Sequence, residues 1–71
     1  MLAVVFKFHK DDDGYYSSDM EKIFSNIDDA KIYTNSLVSD RYKKIIIGTR
    51  QQVIRDYAIF RGFVIEKIQV N

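Results

Sequence analysis

The sequence predicts an α+β fold, a small β-β-α-β-α-β domain with one mixed sheet and two helices, occupying residues 1–71 as a single unit. Three observations predict it. The chain opens and closes on strand-like apolar runs, two amphipathic helical stretches lie between them, and an all-apolar β-branched segment separates the two helices.

Leu2 to His9 alternates, with Val4, Phe6 and Phe8 on one face and Ala3, Val5, Lys7 and His9 on the other. That period of two, in Val and Phe, is strand patterning. Lys10-Asp11-Asp12-Asp13-Gly14 is turn chemistry, with Asp13-Gly14 as the hairpin signal. Tyr15 to Phe24 is expected to return as the second strand. Ser25 with Asp28 forms a capping-box pattern, and Asn26 with Asp29 repeats it one residue later. In the helix that follows, Ile27, Ala30, Tyr33, Thr34, Leu37 and Val38 share one arc at about 100° per residue. The helix is expected to end near Ser39-Asp40.

Lys44-Ile45-Ile46-Ile47-Gly48 has the composition of a strand covered on both faces. Thr49 and Gln52 make a second capping box, and beyond it Val53, Ile54, Tyr57, Ala58 and Phe60 share one arc. Gly62 falls where a helix C-cap glycine belongs, and Phe63 to Val70 is expected as the closing strand. Residues 45–70 are long enough for a parallel crossover through the second helix. The competing pattern is one helix over 39–61, running through Gly48. The β-branched residues clustered at its centre disfavour it.

Composition bounds the chemistry. The 71 residues include no cysteine and a single histidine, His9. This excludes disulfides, thiolate metal sites and a zinc site built from histidines, and no cofactor or metal is expected. With 46% hydrophobic and 30% charged residues the chain is globular in character. A domain so small has little core, and without disulfide or metal the remaining way to bury more apolar surface is association. No apolar run approaches the roughly 18 residues of a membrane span. The N-terminal residues have no basic leader or small-residue cleavage site, so a cytoplasmic location is expected.

No catalytic constellation is legible. Nucleophilic catalysis needs a base beside the nucleophile, and His9 stands alone in a strand pattern, with no G-x-S-x-G. The acids fall at turns, helix starts and exposed faces, so no carboxylate pair is expected to converge. Asp11, Asp12 and Asp13 are consecutive and lack the later Glu of a calcium loop, which makes them a solvated turn. The chain is therefore expected not to be an enzyme.

Two binding features stand out. Gly48, Thr49 and Arg50 lead from a strand into a helix N-terminus, a place that suits an anion. Ile32 and Ile59 each point away from the apolar arc of their helix, and together they suggest a contact surface with Arg55 and Asp29 as rim charges. Net charge is +1, but residues 1–40 carry −4 and residues 41–71 carry +5. Two copies related by a two-fold axis would bring opposite poles together, so a homodimer is expected. In the basic half Tyr42 and Tyr57 are interleaved with Arg and Lys, as in nucleic-acid binders.

The stretch MEKIFSNIDDAKIY, Met20 to Tyr33, and the closing FVIEKIQV resemble segments of small uncharacterised phage-encoded α+β accessory proteins. The resemblance covers about a third of the chain, and it implies a viral accessory role with no functional residue to carry over. The expected function is a non-enzymatic protein-binding module that binds and modulates a host factor. The alternative is a small nucleic-acid or phosphate-ligand binding domain using the basic half.

Overall fold

Alternating Val and Phe side chains make β1 (Leu2–Lys10) the centre of the molecule, because residues buried on both faces need a partner layer on each. A computed structural model describes residues 1–56 and 60–70. It contains β1, β2 (Tyr16–Phe24), α1 (Ile27–Leu37), β3 (Lys44–Ile47), α2 (Arg50–Asp56) and β4 (Arg61–Ile68). The strands form one mixed sheet in the order β2-β1-β4-β3. β1 pairs antiparallel with β2 and β4, and β3 runs parallel to β4. The expected element order is the observed one, and the strand at Lys44–Ile47 replaces the alternative of one helix over 39–61.

The two helices lie on opposite faces. On one, Ala3, Val5, Phe63 and Ile65 pack against Ala30 of α1, with Ile27, Tyr33 and Leu37 alongside. On the other, Phe8, Val64 and Phe60 enclose Val53 of α2. The apolar arc of α1 is thus largely as expected, and its one buried hydroxyl, Thr34, donates to the Ala30 carbonyl at 2.6 Å. Val38 departs from that arc, because it caps the helix in an extended conformation and the helix stops at Leu37. Asn26 is the N-cap, its Oδ1 accepting from the Asp29 N–H at 2.8 Å, so the capping box sits one residue beyond Ser25.

Three further expectations change. Gly62 is no helix cap: it lies within β4 opposite Lys44, where a Cβ would run into the Lys44 carbonyl oxygen. The closing strand begins at Arg61 and ends at Ile68, which leaves Val70 exposed beyond it. Ile45 and Ile46 reach opposite clusters, but Ile47 is half-exposed, because β3 is the outer strand and α1 packs over β1, β4 and β2. Tyr57, Ala58 and Ile59, part of the expected second apolar arc, lie outside the described residues. No helix among the described residues is long and apolar enough to cross a membrane.

Candidate functional site

α2 is described over Arg50–Asp56, about 10 Å at 1.5 Å per residue, and these residues span part of one face of the four-stranded sheet. α2 packs on β4 and leaves the β2 side of its face open. The opening is a cleft of about 490 Å³. Tyr16 and Ser18 stand on one side, Arg50, Gln51 and Ile54 on the other, and Phe8 between them. Phe8 is held from both sides by ring contacts, to Tyr16 at 5.6 Å and Phe60 at 5.7 Å between centroids.

A β-bulge extends the apolar character of this face. The β1–β2 register runs Val4↔Ile23 and Val5↔Lys22, then shifts to Phe6↔Met20, leaving Glu21 as the extra residue. In a regular strand positions 20 and 23 fall on opposite faces. Through the bulge both oppose residues of the Val4-Phe6-Phe8 row and so lie on the α2 face. Met20 is 60% exposed, Ile23 48% and, across the cleft, Ile54 48%.

The closed end of the cleft is charged but paired. Glu66 Oε1 accepts from the backbone N–H and the Nε of Arg50, each at 3.0 Å, and the Arg50 guanidinium carbon lies 4.1 Å from the Phe6 ring centroid. Gly48, Thr49 and Arg50 therefore do form a helix start, with Thr49 Oγ1 accepting from Gln52 N–H at 3.1 Å. The anion at that start is supplied from within the chain.

The other residues singled out in the sequence lie apart from the cleft or are engaged locally. Ile32 is 71% exposed on α1, on the opposite face of the sheet. Asp29 is held in the N-cap by the Asn26 side-chain amide at 2.9 Å. Arg55 pairs with Asp56 at 3.0 Å, and that hydrogen bond, with the Asp56 charge, raises the Arg55 pKa above its ordinary value. Ile59 lies outside the described residues. Two of the basic residues lie well apart. Lys44 pairs with Gly62, and Lys67 lies five residues further along β4, roughly 17 Å away at 3.3 Å per residue.

In the acidic turn, Asp11 Oδ1 accepts from the N–H groups of Asp13 and Tyr15, at 3.0 and 2.9 Å, and Gly14 takes a positive φ of 90°. The turn acids organise the hairpin, and no group of acids and histidines that could hold a metal occurs among the described residues.

One pair escaped the sequence reading. His9 and Ser17 are cross-strand partners, and Ser17 Oγ lies 2.9 Å from His9 Nε2. The signal was available only through the hairpin register. His9 Nδ1 is buried with no hydrogen-bond partner among the described residues. Comparison of the chain with protein-family models, curated proteins and solved structures finds no match.

Proposed function

We propose that the protein is a non-enzymatic protein-binding module and that it meets its partner on the α2 face of the sheet. One observation carries this reading: Ile54 lines the cleft beside α2, and Met20 and Ile23, on the same face of the sheet, are like it about half exposed or more. Single exposed apolar residues are ordinary, whereas several beside a half-covered core leave apolar surface in water that a partner would bury. Ile32 is on the opposite face of the sheet from the cleft and is not placed at the contact.

Photo-crosslinking in a lysate of the native host tests the reading. A photoreactive residue at position 54 is expected to give discrete protein adducts that are lost when the labelled chain also carries Met20→Glu. The same residue at position 32 is expected to give none of these adducts. Identical adduct patterns at the two positions would overturn the assignment.

A further inference from the structure

We infer that the partner at this cleft is a second copy of the chain, the α2 ridge of each molecule lying in the cleft of the other. The inference rests on the protein-binding reading of the α2 face and adds the identity of the occupant.

Shape is the first argument. Ridge and cleft lie side by side on one face: α2 projects over β4, and the opening runs beside it above β1 and β2. A two-fold axis set between two facing sheets and running along α2 exchanges left for right. It therefore brings each ridge opposite the other cleft. The contact is isologous and closes at two copies. Ile54, on the cleft side of α2, would then meet the apolar lip formed by Met20 and Ile23.

Charge is the second. A patch that faces itself across a two-fold axis meets its own charges, so any net charge on it repels. Among the residues that line the cleft the charges cancel. Arg50 is paired with Glu66, and Arg55, beside Ile54, is paired with Asp56. Tyr16, Ser17, Ser18, Thr49 and Gln51 add uncharged polar groups to the cleft.

The outer edge of β2 offers no competing route. Glu21 bulges there between Met20 and Lys22, and bulges and charged side chains are how exposed strands avoid edge-to-edge pairing. The cleft beside α2 is open to a second copy. A chain of 71 residues without cysteine also gains most from burying it.

Sedimentation of the purified 71-residue chain, from micromolar to hundreds of micromolar, tests the inference. A dimer mass is expected at the upper end. Ile54→Asp should weaken it by at least about tenfold, since the new carboxylate would be buried without a partner, and Ile32→Asp should leave it unchanged. Circular dichroism shows whether each variant is folded. If Ile54→Asp is not, Met20→Glu on the opposite lip gives the same reading without touching α2. A monomer throughout, or a dimer indifferent to both changes, would overturn the inference. A monomer that still gives discrete crosslinks from position 54 to another protein would remove the second copy and leave the binding reading intact. A monomer with no such crosslinks would remove both.

Discussion

Glu66 supplies, from the middle of the sheet, the negative charge that the start of α2 calls for. Its carboxylate accepts from the Arg50 backbone N–H and from the Arg50 guanidinium, so one side chain satisfies a free helix donor and pairs a cation at once. The two residues are 16 apart in the chain and meet because β3 and β4 run parallel, which returns the chain after α2 to the strand beside the one it left. The bond ties the start of α2 to β4 at the cleft, which both residues line.

Replacing Glu66 should therefore loosen α2. Hydrogen bonds to a charged group contribute about 1.5–3 kcal/mol. The Arg50 side chain is 43% exposed, so screening lowers its share. Glu66→Ala is expected to cost about 1–2 kcal/mol in urea unfolding, given that discount. Because the carboxylate already fills the helix start, phosphate should protect wild-type protein from heat no better than chloride at equal ionic strength. A clear gain in melting temperature specific to phosphate would show that the internal carboxylate is displaceable.

Gly62 should tolerate no side chain. Its α-carbon faces the Lys44 carbonyl across the parallel β3–β4 pair, so a methyl group forces the two strands apart. Overpacking of this kind costs about 1–3 kcal/mol where neighbours can yield, and here the neighbour is backbone in a ladder. Gly62→Ala is expected at or above the upper end of that range, with loss of amide protection along Lys44–Ile47 in hydrogen exchange. Gly14 offers the contrast. Only the positive φ opposes Gly14→Ala, and the nearest foreign atom to a Cβ there is the mobile Lys10 Cε at 3.7 Å. That change should cost about 1–2 kcal/mol and leave β3 protected.

What was legible in the sequence follows what is local. The β1 alternation, the Asp13-Gly14 turn, the α1 arc and the Ile45–Ile47 strand are each set by residues adjacent in the chain, and each stands where the pattern puts it. Gly62 was misread because a glycine after an apolar arc looks the same whether it ends a helix or lets two strands approach. The difference lies in Lys44, which is 18 residues away. The cleft was illegible for the same reason. Its lining comes from β1, β2, α2 and β4, elements that only the folded sheet brings together. Outward isoleucines on helices drew attention to Ile32, while the larger exposed apolar group involved a strand whose alternation is broken by a bulge.

That bulge yields the last prediction. The partners of β1 on either side of Glu21 are consecutive: Ala3, Val4 and Val5 face Phe24, Ile23 and Lys22, and Phe6 faces Met20. Removing Glu21 would therefore leave every other pair in place and convert β2 into a regular strand. Met20 and Ile23 would keep their present face, since the deletion brings them to positions two apart, as the pleat requires. Glu21 is exposed, so little packing is lost with it. Stability is expected to change by less than about 1 kcal/mol, the scale of surface changes that remove no buried contact. Deleting Ser18 is the control. It turns Tyr16 and Ser17 to the opposite faces relative to the rest of β2, taking Tyr16 from its contact with Phe8 and Ser17 from His9. That variant should lose several times as much stability as the Glu21 deletion. Equal losses for the two deletions would mean that the bulge is needed for the hairpin to form, rather than being an insertion the register accommodates.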